Sequence, residues 1–233
     1  MHSSPRPDAY SHTAALLRAV RERIAELRPG WELEQIALRE QRFAAADGGN
    51  RQLRLDGPVC EDDAERILER MLRADGVILA SPNYCGNVNS LMMRFVERSM
   101  RLSHRRLLRG KGALALSTSA SPVEADQAAR YLRYVLGSYG ASVVEACNIG
   151  EPIFVRDYGD TVHGRTVRRC VDAFLAAVED PGSHVPQERF GLDVREQIRA
   201  HPELAGRIFR SDARYFERLE AGEGEGHEPA HEA

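Results

Sequence analysis

Three short polar stretches hold residues whose types and spacing suit ligand chemistry. The first is Ser3-Ser4-Pro5-Arg6, followed by Ser11-His12-Thr13 at the start of a helical pattern. Hydroxyls, backbone N–H groups and one guanidinium at the positive end of a helix bind an anion, and a phosphate monoester suits such a site. The same residues also read as a simple N-cap with Arg6 in solvent. The second is Ser81-Pro82-Asn83-Tyr84-Cys85-Gly86-Asn87-Val88. Pro82 stiffens the turn, Tyr84 offers a flat face, and Gly86 permits close approach of the backbone. Free N–H groups there would bond the carbonyls and ring nitrogens of a planar heterocycle. The competing reading is a strand-to-helix turn capped by Asn87, but the loop is longer than capping requires. The third is Ser117-Thr118-Ser119-Ala120-Ser121, whose small side chains leave room for a ligand. It equally suits a helix start at Pro122.

Other reactive residue types form no such grouping. Cys60, Cys85, Cys147 and Cys170 are too far apart for a CxxC pair. Each reads as a small buried apolar residue. His227 and His231 stand at i, i+4, but in a glycine-rich tail with no further ligand type around them, so no metal site is expected.

The elements that would position these stretches alternate. Leu16, Leu17, Val20, Ile24 and Leu27 predict a helix over Ser11–Arg28, ended by Pro29-Gly30. Trp31–Leu38 reads as a strand, and Arg39–Val59 as irregular, with Asp47-Gly48-Gly49-Asn50 as a turn. A helix over Glu61–Arg73 precedes the apolar run Gly76–Ala80, a strand buried on both sides. Ser81–Asn87 is then a loop and Val88–Leu102 one helix. The strand Gly112–Leu116, a helix from Pro122, the strand Ser142–Ile149 and a helix over Asp160–Val178 complete the series.

Such alternation implies a three-layer α/β/α sandwich around a parallel sheet, with ligands at the carboxyl ends of the strands. The three polar stretches would follow strands one, three and four and converge on one edge. Only Met1-His2-Ser3 stands where a first strand belongs, so that strand is expected to be missing or truncated, with the native chain beginning further upstream. Residues 1–180 read as this domain, 181–220 as a C-terminal helical extension with helices near Val194–Arg199 and Leu204–Leu219, and 221–233 as a disordered tail.

Bulk properties exclude several classes. At 233 residues the chain can bury a core without staples. A net charge of −3 gives no general attraction to nucleic acid or membrane surfaces, and the arginines are spread along the chain. No signal peptide and no apolar run of membrane-spanning length are present, so the expected compartment is the cytoplasm.

At these residues the sequence resembles the NADPH-dependent FMN reductase family, and its iron–sulfur flavoprotein branch in particular. Ser3-Ser4-Pro5-Arg6 with Ser11-His12-Thr13 matches the family's opening loop. Ala74-Asp75-Gly76 running through Ser81-Pro82-Asn83-Tyr84 to Gly86-Asn87-Val88 matches its middle signature. The resemblance implies a flavodoxin-like fold. It implies FMN held at its phosphate by Ser4, Arg6, Ser11 and Thr13. Pro82, Asn83, Tyr84, Cys85, Gly86 and Asn87 would line the isoalloxazine, with Ser117, Thr118 and Ser119 on its other side. NADPH or NADH would be the co-substrate and a small molecule the electron acceptor. The stretch before Cys60 lacks the cysteines that the branch uses for its cluster, so no iron–sulfur cluster is expected. No catalytic acid or base is assigned, because the cofactor carries the chemistry. A homodimer or higher homo-oligomer is expected, with the C-terminal helices able to supply the contact. The competing functions are an FMN-binding electron carrier or sensor without nicotinamide activity, and a fold relative that has lost FMN.

Overall fold

Along β3 (Gly112–Ser119) successive side chains enter different layers. Ala113 and Ala115 face one core, while Leu114 and Leu116 face a second. A strand with both faces covered must be apolar on both, which explains the unbroken run of small and branched residues. The first core is closed by α2 (Asp63–Arg73), α3 (Ser90–Arg98) and α5 (Ala125–Ser138), through Ile67, Leu68, Met92, Phe95, Leu132 and Leu136. The second is closed by α1 (His12–Leu27) and α6 (Val162–Glu179), through Leu16, Val20, Ile24, Val171 and Phe174. This computed structural model describes residues 1–46, 62–120, 125–150, 158–184, 193–205 and 209–222. The Asp47–Asn50 turn, Cys60, Ser121, Pro122 and the tail beyond Gly222 lie outside them.

The sheet runs β2-β1-β3-β4, where β1 is Gly76–Tyr84, β2 is Asn87–Val88 and β4 is Ser142–Gly150. β1, β3 and β4 are parallel, and β2 returns antiparallel on β1. Gly76 and Gly112 are register partners at the strand starts. A Cβ on either would lie 2.6–2.7 Å from the Val178 side chain, so the glycines let α6 approach the sheet.

Met1–Ser3 occupy the central position that the sequence left in question. His2 bridges Ala80 of β1 on one side and Ala37 on the other, both parallel. Ser3 N–H donates to Ala80 O at 3.0 Å, Ala80 N–H to Met1 O at 3.0 Å, His2 N–H to Ile36 O at 2.9 Å and Leu38 N–H to His2 O at 2.8 Å. The Met1 amine donates to Ile78 O. Met1–Ser3 therefore give β1 and the Ala37 segment backbone partners.

Several boundaries differ from expectation, each for a local reason. Among the described residues, the strand expected over Trp31–Leu38 is reduced to the bridge from Ala37 to His2, whose other side pairs with Ala80. β1 continues to Tyr84 and β3 to Ser119, so Ser81–Tyr84 and Ser117–Ser119 are strand ends, not loops. The helix expected over Val88–Leu102 is two, α3 and α4 (Met100–Arg105), broken at Ser99. The Ser99 hydroxyl donates to Val96 O and lies 2.5 Å from the Tyr139 hydroxyl. α3 is capped by Asn89, whose side-chain oxygen accepts from Met92 N–H, and not by Asn87.

The C-terminal extension contains α7 (Val194–Ala200), α8 (Pro202–Ala205) and α9 (Arg210–Glu220). α9 is fastened to α4 by Asp212, fully buried, which accepts from Arg105 Nε at 2.9 Å and pairs with His104 Nδ1 at 3.0 Å. Among the described residues no helix is long and apolar enough to cross a membrane.

Candidate functional site

The three polar stretches meet at the carboxyl edge of the sheet, and hydrogen bonds join them. The Ser3 hydroxyl donates to the Ser81 hydroxyl at 3.0 Å. The Thr13 and Thr118 hydroxyls lie 2.8 Å apart, buried between α1 and β3. Asn83 Nδ2 lies 3.4 Å from the Ser119 hydroxyl, linking the ends of β1 and β3. The first contact holds the opening loop to β1, the second holds the first helix to β3, and the third closes the row.

The opening loop leads into α1. Ser4 is buried and its hydroxyl accepts from Arg6 N–H at 3.4 Å, while the Arg6 side chain is exposed. Between them and the helix a 3-10 turn, Asp8–Tyr10, is tethered by an ion pair from Arg39 to Asp8 at 2.9 Å. Ser11 caps α1 by accepting from Ala14 N–H at 3.0 Å. The helix therefore presents its positive end to the loop, the polarity an anion requires. Beneath the loop, His2 is fully buried and its pKa is lowered to about 4 by desolvation, so it stays neutral near pH 7.

The Tyr84 stretch is a hairpin. Asn83 and Tyr84 pair with Val88 and Asn87, and Cys85-Gly86 form the turn with φ of 50° and 79°. Gly86 suits that left-handed conformation, whereas Cys85 adopts it as an ordinary L-residue. Tyr84 is 49% exposed and Cys85 is exposed, so both face outward from the rim. Gln127 of α5 lies directly against Gly86.

Buried polar atoms also mark this edge. The Ser117 hydroxyl and the Asn148 side-chain oxygen, register partners on β3 and β4, are buried with no hydrogen-bond partner. Such atoms are costly to leave unpaired, and a polar ligand supplies what they lack. Asn89 and Asn148 belong to this edge although the sequence did not single them out. The signal for Asn89 was its place directly before Ser90 and an apolar helical run. Two cavities lie elsewhere: one of about 510 Å³ beside Phe43, Asp62 and Arg94, and one of about 200 Å³ beside Met100, His104 and Tyr134. Among the described residues no three His, Cys, Asp or Glu side chains are grouped to hold a metal ion.

Comparison with known proteins points the same way. A family model described as NADPH-dependent FMN reductase matches residues 1–152. An iron–sulfur flavoprotein of Archaeoglobus fulgidus is 27% identical over 134 residues, covering 58% of this chain and 60% of that protein. Another, from Methanocaldococcus jannaschii, is 36% identical over 120 residues, covering 51% of this chain and 59% of that protein. The chain thus spans about three-fifths of the length of these curated relatives. Among solved structures, an NADH:FMN oxidoreductase in apo form superposes with a TM-score of 0.59 at 22% identity, covering 79% of this chain and 90% of that one. RosB with a bound 8-demethyl-8-formylriboflavin-5′-phosphate superposes with 0.62 at 18% identity, covering 87% and 84%. The flavoenzyme FerB from Paracoccus denitrificans gives 0.58 at 19% identity, covering 80% and 97%. At such identities these neighbours establish the fold, which is flavodoxin-like.

Proposed function

Because this chain belongs to the NADPH-dependent FMN reductase family, we propose that it is an FMN-dependent oxidoreductase that passes electrons from NADPH or NADH to a small acceptor such as a quinone, a flavin, an azo or nitro compound, or a metal ion. The observation that carries this reading is the single polar rim formed by the opening loop, the Tyr84 hairpin and the end of β3.

The residues present fit the cofactor. Ser4, Arg6 and the positive end of α1 would hold the phosphate, with Ser11 setting the helix end and Thr13 fixing it to Thr118. The Tyr84 hairpin would hold the ring on one side and Ser117 to Ser119 on the other, with the unpaired Ser117 hydroxyl as a ready partner. Bound FMN would supply the hydride and electron chemistry. The chain's part is to bind, orient and shield, which requires no acid or base of its own. A homodimer in the cytoplasm is the setting we propose for it.

The absorbance spectrum of the purified protein tests the reading. Oxidised-flavin bands that bleach rapidly on anaerobic addition of NADPH or NADH are the expected result. Flavin bands that do not bleach would make the protein an electron carrier or sensor. A colourless protein that takes up no added FMN would make it a relative without the cofactor.

A further inference from the structure

We infer that Asn89 is a positioning residue which locks the phosphate-side loop to the ring-side hairpin, so that the site favours phosphorylated flavin over riboflavin. This inference rests on the FMN reading above.

Three side chains form a closed, buried network between the two loops. Ser3 and Ser81 are fully buried and Asn89 is 4% exposed. Asn89 Nδ2 donates to Ser3 O at 2.5 Å, and Asn89 Oδ1 accepts from Met92 N–H at 3.2 Å. The Ser81 hydroxyl donates to Pro82 O at 2.9 Å and accepts from the Ser3 hydroxyl at 3.0 Å and from Asn89 N–H at 3.4 Å. That hydroxyl uses its one proton and both lone pairs, so it has no freedom to reorient. A buried hydrogen-bonded network of this kind favours one arrangement of its elements.

The chain order gives the network its meaning. Ser3 directly precedes Ser4, Pro5 and Arg6. Asn89 directly follows β2, which completes the Tyr84 hairpin. His2 and the strand β2 both pair with β1 on the side away from β3, one beyond the other. Capping α3 would need only the Asn89 oxygen. The Asn89 amide is committed instead to Ser3, across 86 residues of chain. With both anchors held at one separation, a ligand that grips both binds without the cost of first ordering the two loops relative to each other, whereas a ligand that grips a single anchor gains nothing from their fixed spacing. Riboflavin lacks the phosphate and engages the hairpin alone.

The test compares FMN and riboflavin affinities of the full chain by fluorescence quenching, for wild type and Asn89→Ser. Serine still caps α3 but is too short to reach Ser3 O. The expected result is an FMN affinity lowered about tenfold, the effect of about 1.4 kcal/mol, with riboflavin affinity changed by less than about twofold on that scale. An equal loss for both flavins, or no loss for either, would reduce Asn89 to a structural cap and overturn the inference. Should Asn89→Ser not fold, Ser81→Ala removes the other tie and carries the same comparison. Wild-type protein that takes up neither flavin overturns the FMN reading and this inference together. Wild-type uptake with an unchanged variant ratio overturns this inference alone.

Discussion

Thr13 and Thr118, 105 positions apart in the chain, share a buried hydrogen bond of 2.8 Å between their hydroxyls. Thr13 lies in the first turn of α1 and Thr118 near the end of β3, so this contact sets where the positive helix end sits on the sheet edge. Valine keeps the shape of threonine and removes the hydroxyl. Thr13→Val or Thr118→Val alone leaves its partner buried and unpaired, which costs about 1–3 kcal/mol. The double substitution leaves neither, and its loss should be smaller than the sum of the two. Urea unfolding of the three variants, read as a double-mutant cycle, checks this. Simple additivity would mean that the two hydroxyls do not depend on each other.

The hairpin turn makes a second prediction. Gly86 has φ of 79°. An alanine there enters the left-handed region and meets the Gln127 side chain. The side chain can move aside, whereas the backbone penalty remains. Gly86→Ala should therefore cost about 1–2 kcal/mol, seen as a lower urea midpoint with an unchanged slope. Cys85, with φ of 50°, already bears that penalty. Cys85→Gly should bring no comparable loss, and a matching loss would show that the thiol, not the backbone, stabilises the turn.

Sequence patterning made the layers legible and left the site's wiring hidden. Leu16, Val20 and Ile24 recur at helical spacing, and all three are buried where α1 covers the sheet. Ala113 to Leu116 read as a strand because both faces are covered. Ser81–Tyr84 and Ser117–Ser119 read as loops because their side chains are polar, yet β1 pairs with β3 as far as Pro82 and Thr118, with β2 at Asn83 and Tyr84, and β3 pairs with β4 as far as Ser119. Polarity at a strand end reports what its side chains face and says nothing about the ladder. The pairing of His2 with Ala80 and Ala37 was not readable from pattern, since Met1–Ser3 are too short to show a period, and that position was expected to hold a missing or truncated strand. Asn87 and Asn89 are equally good caps by type, and only the bond that Asn89 Oδ1 accepts from Met92 N–H decides between them.

The buried His2 couples stability to pH. Desolvation lowers its pKa to about 4, and the charges facing it are Asp8, Arg39, Glu40 and the chain's amino group. In the unfolded chain a histidine titrates near 6.5. Between these values the unfolded state takes up a proton that the folded state does not. The contribution of His2 is thus fully present above about pH 6.5 and declines as the pH falls toward 4. His2→Leu should flatten that part of the profile of melting temperature against pH, relative to wild type. Parallel profiles for the two proteins would show that His2 does not drive the decline.

The C-terminal extension gives a prediction that separates stability from binding. Arg105 and Asp212 are both buried, with Asp212 also facing His104 and Arg105 stacked over Tyr215 at 5.1 Å. Burial lowers the Arg105 pKa, and Asp212 is the counter-charge that opposes the shift. Asp212→Ala removes the counter-charge from that buried guanidinium, a loss of about 3–5 kcal/mol. The strain falls on the contact between α4 and α9, so α9 should be released first. Amide hydrogen exchange in Arg210–Glu220 should accelerate strongly in the variant. α4 precedes the start of β3, and the polar rim proposed to hold flavin lies at its other end, about 23 Å away along an eight-residue strand. FMN affinity should accordingly stay within about twofold of wild type, well under the 1.4 kcal/mol that a tenfold change represents. A tenfold fall in affinity with α9 released would instead make the extension part of the binding site.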